Sequence, residues 1–308
     1  MKVAVIGVGH LGQHHARIYA AMDGVELAGV VDTNPGRAEE IARKFGTRVI
    51  ADARELVGRV DAVSVAVPTE AHVAVSLPFV EAGTAVLVEK PLAASLDDAD
   101  RLVEAAEKAG AVLAAGHTER FNPAIEAARP LIKSPRFIEV HRLGTFPERS
   151  LDIDVIFDLM IHDLDLLLAL VESEVVSVEA VGVNVLTPRT DIANARLRFA
   201  SGCIANLTAS RISRERVRKI RFFQHNTYVS VDYAAREVEA YQLVPQDGRP
   251  AIHGGKLPVA DDEPLRRELA DFVEAARMKR RPGVTGREGR EALALATLVA
   301  DKMRDNIG

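Results

Sequence analysis

The chain holds a single cysteine, Cys203, so an intrachain disulfide is excluded and a reducing compartment suits the sequence. Basic residues are not in excess. Lys and Arg total 39 against 44 Asp and Glu, and a net charge of −5 argues against a nucleic-acid binder. Long apolar runs free of charge are missing too. The most apolar helix candidate, residues 155–171, contains Asp158, His162, Asp163 and Asp165, more polar groups than a membrane span tolerates. No basic segment precedes a long apolar stretch at the N-terminus, where residues 2–7 read as a strand rather than a signal peptide; a cytoplasmic protein is expected. Repeats, low-complexity tracts and long linkers are absent. What is present is the composition of an ordinary globular protein, and 308 residues exceed what one core usually holds, so two domains are expected.

Residues 1–119 alternate strand-like and helix-like segments. Short apolar runs at residues 3–6, 26–31, 48–50, 62–67, 85–88 and 112–115 fit parallel strands buried on both faces. Helical patterns cover residues 10–22 and 35–45, the latter with Pro35 at its start. Another begins after Ser95 and stops at Gly110. Repeated units of this kind predict a doubly wound parallel sheet, an α/β fold of Rossmann type. Residues 120–308 read differently. A long helix is expected at residues 154–171, then period-two strands at 176–185, 193–199, 203–212, 217–224, 228–233 and 237–244, then helices at 263–279 and 287–304. This second domain is expected to be α+β, with one large, mostly antiparallel open sheet.

Gly7, Gly9 and Gly12 form G-x-G-x-x-G between a predicted strand and a predicted helix. The first glycine makes the tight turn, the second lets the backbone approach a pyrophosphate, and the third lets helix and sheet pack closely. His10 and Leu11, inside the fingerprint, are expected cofactor contacts with the three glycines. Asp32, at the end of the second strand, is placed to accept hydrogen bonds from the adenosine ribose and would repel a 2′-phosphate, which favours NAD over NADP. The same Asp also reads as a turn residue.

Pro68, Thr69 and His72 follow one predicted strand of the parallel sheet, and Glu89, Lys90 and Pro91 follow the next, both on the carboxyl edge where ligands bind in such folds. With the glycine fingerprint, this trio resembles the glucose–fructose oxidoreductase / inositol dehydrogenase / rhizopine catabolism (Gfo/Idh/MocA) family over essentially the whole chain. Asp158 and His162 also match the family's Asp-x-x-x-His helix motif, with Asp165 one turn later. The resemblance implies reversible oxidation of a sugar or cyclitol hydroxyl. It implies that Lys90 is the catalytic lysine, that Asp158 and His162 are the catalytic helix pair, and that all three meet the substrate. It also implies that Pro68, Thr69, His72, Glu89 and Lys90 line the cofactor.

The residue chemistry agrees with this. His162 is suited to take the hydroxyl proton near neutral pH, and Lys90 to hold the negative charge developing on the oxygen. Asp158 and His162, at i and i+4, share a helix face. A plain polar face, or a metal site built from Asp158, His162 and Asp165, are the other readings of that helix; no metal is expected.

Residues 116–123 resemble the subset of the family that oxidises the 3-hydroxyl of UDP-linked N-acetylglucosamine or its uronic acid, which would bring Arg120 and Asn122 to the nicotinamide or the sugar. A domain-joining loop with Asn122-Pro123 as a turn is the other reading. The basic cluster of Arg211, Arg214, Arg216, Arg218, Lys219 and Arg221 would suit a diphosphate, with Arg211 the expected contact; a charged hairpin or an oligomer edge is the alternative. Alternating strands with few helices to cover them predict a homodimer or homotetramer built on the second domain's sheet. Three functions stay open: a UDP-N-acetylhexosamine dehydrogenase, a free sugar or cyclitol dehydrogenase, and a non-catalytic NAD-binding regulator that kept the fold.

Overall fold

The structure, a computed structural model, describes residues 1–146, 153–246 and 249–305. It divides into two compact units. One comprises Met1–Thr118 with Glu263–Leu293, the other Glu119–Asp262 with Ala294–Gly308. This corrects the expectation that everything after residue 119 forms one domain. Helix α7 (Pro264–Met278) belongs to the first unit because its Leu269, Phe272 and Val273 join the core beside Val3, Ile18, Tyr19 and Leu87. An amphipathic helix follows whichever core buries its apolar stripe, whatever its place in sequence.

In the first unit five parallel strands lie in the order β2-β1-β3-β4-β5. They are β1 (Lys2–Ile6), β2 (Glu26–Val31), β3 (Ala62–Val65), β4 (Ala85–Glu89) and β5 (Leu113–Gly116). Their near-continuous burial explains why they read as unbroken apolar runs. The expected strand at residues 48–50 is reduced to one bridge, Val49 to Val30, beyond the β2 edge, where Val49 is exposed. Helix α1 (Gly12–Ala20) follows β1. Helix α2 (Pro35–Phe45) starts at the Asn34 cap and ends at left-handed Gly46, and α4 (Leu96–Ala109) starts at the Ser95 cap and ends at left-handed Gly110. Helix α3 (His72–Glu81), which the pattern analysis did not separate, connects β3 to β4.

The second unit is built on an eight-stranded sheet in the order β13-β12-β11-β10-β6-β9-β8-β7. The strands are β6 (Phe137–Leu143), β7 (Val175–Val183), β8 (Ile192–Phe199), β9 (Ile204–Ser210), β10 (Val217–Gln224), β11 (Thr227–Asp232), β12 (Glu237–Gln246) and β13 (Arg249–Leu257). All pairings are antiparallel except β6 with β9. Helix α5 (Pro123–Ala128) packs against β11 and β12 on one face. On the same face a π-helical turn (Ile156–Met160), which leads into α6 (Ile161–Val171), packs against β9. The last helix, α8 (Gly286–Asp305), closes the chain. No described helix is long and apolar enough to cross a membrane.

Candidate active site

In the first unit the glycine fingerprint is fixed by sterics. Gly7 has φ +84°, and a Cβ there would lie 2.6 Å from the Ala66 carbonyl oxygen. A Cβ on Gly12 would lie 1.8 Å from the Gly7 carbonyl oxygen, so α1 leaves the turn at a distance only glycine permits. Gly9 differs, because nothing lies within 4 Å of a Cβ placed on it. The space beside Gly9 is open to a ligand. Gly9, His10 and Leu11 are exposed at the start of α1, and the Gly9 and Leu11 N–H groups make no hydrogen bond among the described residues. Free donors at a helix N-terminus beside open space fit a dinucleotide pyrophosphate.

Asp32 carries both roles read from the sequence. Its Oδ2 accepts from Val8 N–H at 2.8 Å and its Oδ1 from Asn34 N–H at 2.9 Å, bracing the glycine loop against the β2 turn. Each carboxylate oxygen keeps a second lone pair for a ribose hydroxyl. Arg37, the nearest cation in sequence, is engaged by the Val8 carbonyl at 2.9 Å and by Glu40 at 2.8 Å. Asp32→Ala should therefore narrow the gap between NAD and NADP affinity, as read by titrating both cofactors against protein fluorescence. Equal NADP and NAD binding in the unmutated protein would refute the ribose role.

Lys90 stands just past the end of β4, partly exposed on the carboxyl edge, with Pro68 and Thr69 past the end of β3. Two residues expected to line the cofactor, His72 and Glu89, have buried side chains. His72 is buried, with Nδ1 at 2.9 Å from the Pro91 carbonyl and Nε2 at 3.0 Å from the Val67 carbonyl, so it ties the two edge loops together. Burial holds its pKa below the ordinary histidine value, against the pull of those carbonyls. Glu89 is buried as well, with Oε1 at 3.0 Å from His15 Nε2. Packing on all sides, rather than open space, surrounds both side chains.

In the second unit Asp158 lies in the π-helical turn and His162 in the first turn of α6, both partly exposed. Such wide turns inside helices are frequent at functional sites. The flanking residues of the helix are committed elsewhere. Asp163 binds Arg142 in a two-pronged pair (Nε to Oδ2 2.7 Å, second nitrogen to Oδ1 2.9 Å), and Glu119 meets the same guanidinium at 3.0 Å. Asp165 holds Arg120 in a second such pair at 2.8 and 2.9 Å. Burial pushes the Asp163 carboxyl up, although Arg142 pulls it down. Burial likewise keeps the neighbouring Tyr233 hydroxyl protonated.

The structure withdraws three residues from the expected substrate set. Asn122 is buried as the cap of α5, accepting from Ala124 N–H at 3.0 Å, and the chain enters α5 there rather than making a turn. Arg120 is occupied by Asp165. Arg211 is buried, donating to the Thr190 carbonyl at 3.0 Å and to the Ile153 carbonyl, with Asp191 beside it. It ties the chain ahead of the π-helical turn to the β7–β8 connection.

The three cluster residues that lie in β10 separate by strand parity. Lys219 and Arg221 point to the open face of the sheet and pair with Asp232 and Glu139. Arg218, on the helix-covered face, sits directly across from Arg142. Its guanidinium has no ion pair among the described residues, and burial and the Arg142 charge lower its pKa. Among the described residues no three His, Cys, Asp or Glu side chains cluster as metal ligands.

The description of an oxidoreductase family with an NAD-binding Rossmann fold, GFO/IDH/MocA, matches residues 1–117, and its C-terminal domain matches residues 138–227. A UDP-N-acetylglucosamine 3-dehydrogenase from Acidithiobacillus ferrooxidans is 42% identical over 97% of this chain and 96% of its own. The chain belongs to the GFO/IDH/MocA oxidoreductase family. Its cofactor is NAD, and its activity is that of a dehydrogenase acting on a CH–OH group. A solved structure of the Acidithiobacillus ferrooxidans enzyme superposes with a TM-score of 0.91 at 41% identity, covering 98% of this chain and 97% of that one. An inositol 2-dehydrogenase from Rhizobium meliloti is 27% identical over 96% of this chain and 94% of its own. Levoglucosan dehydrogenase, solved with NADH and levoglucosan, shares the fold at 19% identity and TM-score 0.90, covering 99% of this chain and 97% of its own.

Sequence reasoning missed His15, Ser64, Glu119, Arg142 and the role of Asp163. For two of them a signal was present. Arg142 takes the third inward position after Ile138 and Val140, and Asp163 is one of three polar residues in a helix whose other positions are apolar.

Proposed function

We propose that the protein oxidises the 3-hydroxyl of a UDP-N-acetylhexosamine to the 3-keto sugar. The full-length likeness to the UDP-N-acetylglucosamine 3-dehydrogenase carries this reading, and Lys90, Asp158 and His162 supply the groups the chemistry needs. NAD, when bound, is the hydride acceptor. His162 takes the hydroxyl proton as general base, and Asp158, at i and i+4 with it, orients the imidazole or the sugar. Lys90 hydrogen-bonds the oxygen and holds its developing charge. Arg218, half-buried with no ion pair among the described residues, takes the diphosphate, a role expected of Arg211 from the sequence. Binding energy from the diphosphate, remote from the reacting carbon, orients the hydroxyl.

Mass spectrometry of the sugar after incubation with NAD should show loss of two hydrogens from the UDP conjugate and little from the free sugar. Arg218→Gln should raise KM for the UDP-sugar about tenfold or more, as expected when a charge-assisted hydrogen bond worth roughly 1.5–3 kcal/mol is lost, and leave any free-sugar KM nearly unchanged. Good turnover of inositol or a free hexose, with none of UDP-sugars, would replace this reading with a free sugar or cyclitol dehydrogenase, the activity that the inositol relatives' names carry.

We further propose that the protein is cytoplasmic and a homo-oligomer joined through the open sheet face. That face carries a row of rings, Phe137, Phe223, Tyr228 and Tyr241, with neighbouring centroids 5.6, 5.2 and 6.3 Å apart. At its other end Val181 and Val183 are 54% and 50% exposed. Leu207, on β9, faces the covered side and is buried. Light scattering at micromolar concentration should give a dimer or tetramer; a stable monomer would refute the interface.

A further inference from the structure

Next to Lys90 lies a buried chain of polar side chains that no step described above uses. Glu89 Oε1 is 3.0 Å from His15 Nε2, and His15 Nδ1 is 2.7 Å from Ser64 Oγ. Glu89 Oε2 accepts from the Lys90 backbone N–H at 3.3 Å. His15 and Ser64 are fully buried, and Glu89 is 5% exposed. On the far side Gly116 closes the pocket, since a Cβ there would come within 3.0 Å of Glu89. One arrangement satisfies every group: Ser64 O–H donates to His15 Nδ1, His15 Nε2–H donates to Glu89, and Lys90 N–H donates to Glu89. Two of the three donors, His15 Nε2–H and Lys90 N–H, meet at one carboxylate.

An unpaired carboxylate in such a pocket would take up a proton. Here burial raises the Glu89 pKa, but the hydrogen bonds from His15 and the Lys90 backbone, with the Lys90 charge, outweigh it and bring it below the ordinary carboxylate range. The other titratable groups near this carboxylate are Tyr19 on α1, held protonated by burial, and His72 on α3; Glu268 on α7 acts on Tyr19.

We infer that His15 and Ser64 are positioning residues that hold Glu89 as a fixed buried anion beside Lys90, and that this anion keeps the Lys90 ammonium charged and aimed at the reacting oxygen. The inference rests on the reading of Lys90 as the group that meets that oxygen. Glu89 lies close enough to feel the Lys90 charge, and the buried carboxylate stabilises the ammonium in return, more than it would if both groups were in open solvent. The glycine fingerprint and the Glu-Lys-Pro edge are thereby coupled, since His15 lies on the helix that the fingerprint begins.

The test reads Lys90 directly, independently of substrate. The full-length protein is pulsed with acetic anhydride across pH 7–11, and peptide mass spectrometry gives the labelling rate of Lys90 against that of surface lysines. Glu89→Gln should move the Lys90 profile down by about one pH unit or more, with NAD affinity within about threefold of the parent. His15→Leu and Ser64→Ala should move it the same way by less. His15→Gln, whose amide N–H can still donate to Glu89, should restore most of it.

Superimposable Lys90 profiles in Glu89→Gln and His15→Leu would overturn the inference. If Glu89→Gln fails to fold, an unmoved profile in both His15→Leu and Ser64→Ala overturns it equally. A shifted profile in a protein that turns over no sugar would leave the inference standing and sink the dehydrogenase role of Lys90 instead. In an active protein kcat should fall about tenfold or more in Glu89→Gln, with the substrate KM little changed.

Discussion

Lys90→Ala and His162→Ala should each lower kcat about 100-fold to 10,000-fold while leaving NAD binding nearly intact. The separation follows from where the two kinds of residue sit. On the proposed reading, cofactor affinity rests on backbone donors at Gly9 and Leu11, on the open space at Gly9 and on Asp32, none of which Lys90 or His162 holds in place. Lys90 stands at the exposed edge past β4, its backbone held by Glu89, so truncating its side chain should leave the edge loop in place. His162 is similarly flanked by anchored neighbours, with Asp163 fixed on Arg142 and Asp165 on Arg120. Each substitution removes an interaction that matters mainly when charge develops on the sugar oxygen. Such losses appear in kcat and kcat/KM together, and the range corresponds to about 3–5 kcal/mol of transition-state stabilisation.

Cofactor titration by fluorescence and single-turnover kinetics would check both halves of this expectation. Near-normal turnover in His162→Ala would remove His162 as the base. Activity stripped by a chelator and restored by a divalent ion would revive the metal reading of Asp158, His162 and Asp165, although Asp165 is already taken by Arg120. A regulator that kept the fold without the chemistry would show no turnover even in the unmutated protein.

The first unit was legible because its signals are local. Strands β1 to β5 are short apolar runs buried on both faces, and α2 and α4 carry their own caps and glycine stops. The second unit was legible only where strand alternation is clean. Strand β8, with alternate residues buried, was found; β6 was missed because Arg142 stands where the pattern calls for a third apolar residue. β13, mostly exposed and holding Gly254, Gly255 and Pro250, shows no alternation at all.

The candidate site divides the same way. Lys90, Asp158, His162 and the fingerprint were visible as motifs, while Arg211, Asn122, His72 and Glu89 were assigned the wrong surroundings. A motif reports which residue types stand in a row, but burial depends on contacts distant in sequence. Glu89 reaches His15 across 74 positions, and Arg211 reaches Ile153 across 58. Arg218 became distinct from its basic neighbours only once the register of β10 against β6 placed it on the covered face.

Arg142→Met should destabilise the protein by about 3–5 kcal/mol at neutral pH, the usual cost of leaving a buried charge without its partner. The guanidinium is buried between Asp163 and Glu119 and lies 5.3 Å over the Tyr233 ring, so its removal strands two carboxylates. Methionine fills part of the volume and keeps the core dry, which leaves charge as the main loss. The pH dependence gives a second check. Burial already raises the Asp163 carboxyl above its ordinary value while Arg142 opposes it, so losing Arg142 must raise it further.

A carboxyl with a raised folded-state pKa binds more protons folded than unfolded. Stability then falls as pH rises from the unfolded value through the folded one, and is recovered on acidification through that window. The variant's deficit against the parent should therefore be largest near pH 7–8 and shrink toward pH 5, as measured by denaturant midpoints at each pH. A deficit that is constant over this range, or that grows in acid, would mean the variant loses packing rather than charge compensation. Because Asp163 adjoins His162 on α6, kcat should fall as well. Restoring the fold by lowering pH should not restore turnover in full, since the carboxyl that takes up the proton no longer anchors the helix to β6.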